Sequence, residues 1–152
     1  TCVIHIAGER FMDAVKLPVT MHHGNGTLAY SRIAYSHDMV TLYSAADVVV
    51  CRAGASTIAE VSTVGVCAVV VPWKDAAENH QLVNAQWLTS RGGAVLLEEN
   101  ALTAHEFSQL VTELLRDDDR RSAIASRARE LGAVHRQSSI ARVIEGAAKA
   151  QS

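Results

Sequence analysis

Between Ala46 and Pro72 the sequence passes through an apolar stretch, a small-residue turn, a helical period, a glycine stop and a second apolar stretch. No other feature restricts the fold as much. Residues 48–51 and 66–71 have strand length. Ile58, Val61 and Val64 share one side of a helix over 56–64, which Gly65 ends. Strand, helix and strand in alternation imply a parallel sheet covered on both faces. The alternation continues through a helix at 78–90 and a strand at 94–97. Upstream, residues 2–7 read as a buried strand ending at Gly8, 9–17 as a short helix or a loop, and 18–27 as irregular around Gly24-Asn25-Gly26. A short strand over 28–35 and a helix over 38–45 follow. Downstream the chain is helical. Thr103-x-x-Glu106 forms a capping box for a helix to about Leu115, Asp117 to Asp119 open a second to about Leu131, and 137–150 form the last. The fold class is therefore α/β, a parallel sheet flanked by helices with a helical C-terminal tail, in one domain over 1–152.

Composition removes several classes of function. Of the 152 residues 49% are hydrophobic, enough for a core, yet no run is long enough to span a bilayer. A formal net charge of −2 gives no polyanion signature, so nucleic acid is not expected as a partner. Residues 1–4 lack the basic lead of a signal peptide, and the absent initiator Met suggests a cut or processed chain. Cys2, Cys51 and Cys67 all lie in strand-like apolar runs, which predicts buried, reduced thiols in a cytosolic protein. No two have metal-ligand spacing, and the Asp117–Asp119 run reads as a solvated first turn, so no metal site is expected.

The turn at 52–57 carries the chemistry. Free N–H groups at a helix N-terminus, with the positive end of the helix dipole, hold phosphate. Gly54 lets the backbone approach closely, Ser56 and Thr57 add hydroxyl donors, and Glu60 can accept from sugar hydroxyls beside the phosphate. The same residues also read as a capping box, Thr57-x-x-Glu60, which needs no ligand. A second polar cluster, Trp73 to Gln81, follows the next strand. His80, Gln81 and Asn84 lie within about one helical turn and can face one pocket, where amides suit sugar hydroxyls, although an ordinary polar helix face looks the same. Ligands of parallel sheets bind beyond the carboxyl ends of the strands, and that rim collects 52–57 with Arg52, 73–81, and 35–39 with Ser36.

Asp38-Met39 followed by Ala45-Ala46-Asp47-Val48-Val49-Val50-Cys51-Arg52-Ala53-Gly54-Ala55-Ser56-Thr57-Ile58-Ala59-Glu60, with the later Val71-Pro72, His80-Gln81 and Asn84-Ala85, resembles the nucleotide-sugar motif of the MurG family. These are bacterial transferases that move GlcNAc from UDP-GlcNAc to lipid I, giving lipid II of peptidoglycan. The close resemblance covers residues 35–97, and a looser one extends both ways. It implies the Rossmann-like, donor-binding, C-terminal half of a GT-B glycosyltransferase. It further implies that Ala55, Ser56 and Thr57 hold the diphosphate, that Glu60 binds the ribose, that His80, Gln81 and Asn84 lie near the GlcNAc, and that residues 35–39 flank the uracil. Gln81 is the first choice for the sugar hydroxyls, so Gln81→Ala is expected to weaken UDP-GlcNAc binding and to spare UDP. The family's Gly-Gly-Ser-x-Gly-Ala phosphate loop is not found, so the chain is read as starting after its first strand and that loop. The N-terminal acceptor domain, with the catalytic base, is read as absent. Cys67 stands where relatives often have Pro, and Ser36 replaces a usually apolar residue.

The implied reaction is inverting, needs no metal or other cofactor, and takes place in the cytoplasm at the inner face of the plasma membrane, where the lipid acceptor lies. Neither His80 nor His37 is assigned as base. Two other readings are the donor subunit of a two-chain lipid-linked GlcNAc transferase, which should begin with its own phosphate loop, and a non-catalytic nucleotide-sugar-binding fragment.

Overall fold

The computed structural model of the chain describes residues 1–12, 20–23, 26–101, 103–137 and 139–149. It divides into two compact units, Thr1–Met39 and Val40–Ser152. The first unit holds strands β1 (Cys2–Ile6), β2 (Thr20–His23) and β3 (Gly26–Ile33) in the order β1-β3-β2. β1 runs parallel to β3, with Cys2 opposite Ala29 and Ile6 opposite Ile33. The ladder continues where the Ala7 N–H donates to Ile33 O at 2.9 Å and the Gly8 N–H to Ala34 O at 3.1 Å. Gly8 has φ 78, a conformation open to glycine at little cost, and turns the chain into a single 3-10 turn, Glu9–Phe11.

Two expectations change here. Residues 20–23 are a strand, antiparallel to β3 with Thr20 opposite Ala29, where the sequence reads as irregular. Thr-Met-His-His carries no apolar alternation, so pairing with β3 rather than local pattern makes this strand. The 9–17 segment starts as the 3-10 turn, and its residues 13–17 lie outside the described residues. β1 is not a buried strand: all five of its residues are exposed, Cys2 included. Among the described residues it is an edge strand, paired only with β3. Between Thr1 and Asp38 the one helical piece among the described residues is the Glu9–Phe11 turn, and Phe11 is itself exposed.

The second unit alternates as expected through α1 (Met39–Ala45), β4 (Val49–Cys51), α2 (Ala55–Val64), β5 (Ala68–Val70), α3 (His80–Thr89) and β6 (Val95–Leu96). The three strands form a parallel sheet in the order β4-β5-β6. The buried run 66–71 shows why the segment reads as continuously apolar: both faces are covered. One face is formed by Cys67, Val69 and Val71, packed with Leu110 and Leu114 of α4 (Ala104–Arg116) and Ile124 of α5 (Asp118–Leu131). Strand alternation turns Ala68 and Val70 to the other face. Cys67 is buried and Cys51 half-buried, and burial pushes the Cys51 thiol up to about 12. At pH 8 a thiol reagent is therefore expected to label Cys2 first, and Cys51 and Cys67 only in step with unfolding, as mass spectrometry of timed samples would show.

Both helix starts read from the sequence are present. The Thr103 hydroxyl accepts from the Glu106 N–H at 3.2 Å, and the Glu106 carboxylate accepts the Thr103 N–H at 3.1 Å. Asp117 caps α5 by accepting the Arg120 N–H at 2.9 Å, and Asp118 pairs with Arg121 at 2.6 Å. The last helix, read over 137–150, is α7 (Ser139–Lys149), and a short helix not read from the sequence, α6 (Ala133–Arg136), precedes it. Helix α2 packs on α3, α5 and α6. Its C-terminus is closed by Gly65 at φ 76 and by two arginines: Arg129 donates to Val64 O at 3.0 Å and Arg136 to Thr63 O at 2.9 Å. No helix among the described residues is long and apolar enough to cross a membrane.

Candidate functional site at the rim of the second sheet

At its other end α2 is open. Gly54 is the N-cap, in extended conformation, and no side chain among the described residues caps the helix. The amides of Ala55, Ser56 and Thr57 precede the first intrahelical bond, Ile58 N–H to Gly54 O at 3.0 Å. Ala55 and Ser56 are exposed. The capping box Thr57-x-x-Glu60 does not form, because Glu60 is the sixth residue of the helix and too far from the N-cap to reach back. Glu60 lies about 7.5 Å along the axis from the first helical residue. Its Oε2 accepts the Tyr43 hydroxyl at 3.2 Å.

Two side-chain networks fix the turn that leads into α2. Gln81 Oε1 accepts two backbone N–H groups, from Ala53 at 3.2 Å and from Trp73 at 3.0 Å. Asn84 Nδ2 donates to Ala53 O at 3.1 Å, so both polar groups of the fully buried Ala53 backbone are held from α3. Arg52 Nη2 donates to Glu99 Oε1 at 2.9 Å, and the other oxygen of Glu99 accepts the Lys74 N–H at 3.2 Å. The Arg52 hydrogen bond first, and then that of Lys74, hold the Glu99 carboxyl below the usual carboxylate range. The tie is therefore complete above that range and is lost as pH falls through the lowered value.

The sequence-derived residues separate accordingly. Arg52, Gly54, Ala55, Gln81 and Asn84 meet around one turn, and Ser56, Thr57 and Glu60 continue from it along α2. Gln81 has its oxygen committed to backbone and keeps its Nε2 amide for another partner; Asn84 keeps its Oδ1. His80 Nδ1 lies 2.6 Å from Ala77 O of its own turn. α3 starts later than the sequence predicts, because Glu78 and Asn79 adopt φ 52 and 53. Ser36 belongs to the first unit, where its hydroxyl accepts the Asp38 N–H at 3.1 Å, beside an edge-on contact of Tyr35 with His37. Sequence reasoning misses Glu99 and Tyr43. Glu99 follows β6, so the strand-end rule could have found it. Nothing local marks Tyr43. No group of three or more His, Cys, Asp or Glu among the described residues is placed to hold a metal.

The glycosyltransferase family 28 C-terminal domain matches residues 1–144. The chain belongs to that family. Its relatives include UDP-N-acetylglucosamine--N-acetylmuramyl-(pentapeptide) pyrophosphoryl-undecaprenol N-acetylglucosamine transferases. That of Burkholderia vietnamiensis is 36% identical over 93% of this chain and 38% of the relative. That of Burkholderia thailandensis is 35% identical over 97% of this chain and 40% of the relative. This family 28 domain thus spans 38–40% of the length of these two relatives. Among solved structures, Acinetobacter baumannii MurG matches with a TM-score of 0.72 and 31% identity, over 85% of this chain and 36% of that one. The α/β fold is consistent with one half of a GT-B glycosyltransferase.

The geometry gives Gln81 a wider effect in this family 28 domain than a sugar contact would. Gln81→Ala strands the Ala53 and Trp73 amides and releases the turn that opens α2. It is expected to lower stability by about 1–3 kcal/mol and to weaken UDP as well as UDP-GlcNAc. Parallel titrations with the two ligands check this, and a loss confined to UDP-GlcNAc would contradict it.

Proposed function

We propose that this family 28 domain is the UDP-GlcNAc-binding part of a transferase that moves GlcNAc to lipid I, forming lipid II for peptidoglycan. The observation that carries the reading is the open N-terminus of α2, with Gly54 at the cap and amides at Ala55, Ser56 and Thr57 that have no partner among the described residues. The diphosphate of the donor sits on these amides, Glu60 accepts from the ribose, and Gln81 Nε2 and Asn84 Oδ1 face the sugar.

In the reaction the 4-hydroxyl of the acceptor MurNAc attacks the anomeric carbon of GlcNAc from the face opposite the diphosphate. The carbon–oxygen bond to UDP breaks with its electron pair, the configuration inverts, and the hydroxyl proton passes to a base. Negative charge grows on the leaving diphosphate as this bond breaks, so donors fixed at the helix terminus favour the transition state over the ground state. The proposal assigns that charge to the helix terminus rather than to a metal or other cofactor. It assigns the base to a group outside residues 1–152. The lipid acceptor places the reaction at the cytoplasmic face of the plasma membrane, with the protein peripheral to it.

Calorimetric titration with UDP-GlcNAc, UDP and UDP-glucose tests the reading. Saturable binding that favours UDP-GlcNAc, with NMR shifts at Ser56, Thr57 and Glu60, is expected. A folded chain that binds none of the three would overturn it.

A further inference from the structure

We propose that Tyr43 is a positioning residue that holds the Glu60 carboxylate in place for a vicinal diol, the ribose of the bound nucleotide. The inference rests on the donor-binding reading and extends it to a residue of a different helix. Tyr43 is the buried residue of α1, and its hydroxyl donates to Glu60 Oε2 at 3.2 Å. Glu60 is otherwise exposed, and among the described residues its Oε1 takes no hydrogen bond.

A free glutamate samples many rotamers and loses that freedom when a ligand fixes it. Here the phenol has already chosen one arrangement, with a single carboxylate oxygen occupied. The remaining acceptor positions are left for two neighbouring hydroxyls. The phenol also keeps its proton. Burial first, and then the charge of Glu60 and the hydrogen bond to it, raise the Tyr43 pKa well above that of free tyrosine. It therefore acts toward Glu60 as a donor throughout the working pH range and never as a competing anion.

Tyr43→Phe removes one oxygen and keeps the buried ring. The test titrates wild type and this variant with UDP and with 2′,3′-dideoxy-UDP. Wild type is expected to prefer UDP. Tyr43→Phe is expected to bind UDP roughly five- to tenfold more weakly, with its affinity for the dideoxy ligand unchanged. The ratio of the two affinities does not depend on the fraction folded, so a partly unfolded variant still answers the question. In a Glu60→Gln background, adding Tyr43→Phe should cause no further loss of preference for the diol. If wild type prefers UDP and Tyr43→Phe keeps the same preference, Tyr43 does not position Glu60, while the donor-binding reading stands. Equal losses for both ligands would make Tyr43 a packing residue only. A wild-type chain that binds neither ligand overturns both the inference and the reading beneath it.

Discussion

Gly132→Ala is expected to lower the free energy of unfolding by about 3 kcal/mol, the largest stability effect of any glycine substitution in the second unit. Gly132 has φ −68, so its conformation suits any residue. Its importance comes from close approach. A Cβ there would lie 2.1 Å from Ser62 O, 2.3 Å from Ser62 C and 2.8 Å from Thr63 N. These are backbone atoms of α2 and have no rotamer by which to move aside. The end of α5 would have to lift from α2, taking with it Arg129 and Arg136, which cap that helix. A urea midpoint that falls with unchanged slope would show this. Gly146 is the control. It lies in α7 with nothing among the described residues within 4 Å of its Cβ position, and Gly146→Ala should leave stability unchanged or raise it slightly.

Glu60→Ala is expected to weaken UDP-GlcNAc binding by about 1.5–3 kcal/mol, roughly 10- to 150-fold, through the loss of charge-assisted hydrogen bonds to the ribose. The substitution also leaves the buried Tyr43 hydroxyl without its acceptor, so some stability goes with the affinity. Glu60→Gln keeps an acceptor oxygen and separates the two effects: it should retain most of the stability and lose part of the affinity. Calorimetry on both variants, well below their unfolding transitions, checks the expectation. Unchanged affinity in folded Glu60→Ala would remove Glu60 from the ribose site.

The segment from β4 to β5 is legible because every local signal there agrees with the tertiary outcome. The apolar runs are buried in a sheet, the 56–64 period faces a core, and Gly65 takes the left-handed cap that its position requires. Legibility fails where tertiary context acts against local preference. Glu78 and Asn79 adopt positive φ with no glycine to announce it, and so delay α3. The exposure of β1 is hidden for another reason: an apolar strand reads as buried whether or not anything covers it. In the site, chain-local features could be read, namely the glycine turn, the helix start and the amides of α3. The links between them could not. Arg52 meets Glu99 47 positions later, and Tyr43 meets Glu60 17 positions later, at separations that carry no periodic signature.

The two ends of α2 are finished differently, and the difference implies a trade between stability and ligand uptake. The C-terminal carbonyls are neutralised from within, by Arg129 and Arg136. The N-terminal amides are left to solvent behind a glycine. An Asp or Ser at position 54 would satisfy those amides and make the empty domain more stable. It would also put the protein's own oxygen where the phosphate is proposed to sit. In a laboratory selection for heat resistance alone, position 54 is thus an easy route to a sturdier domain that has become its own competitive inhibitor.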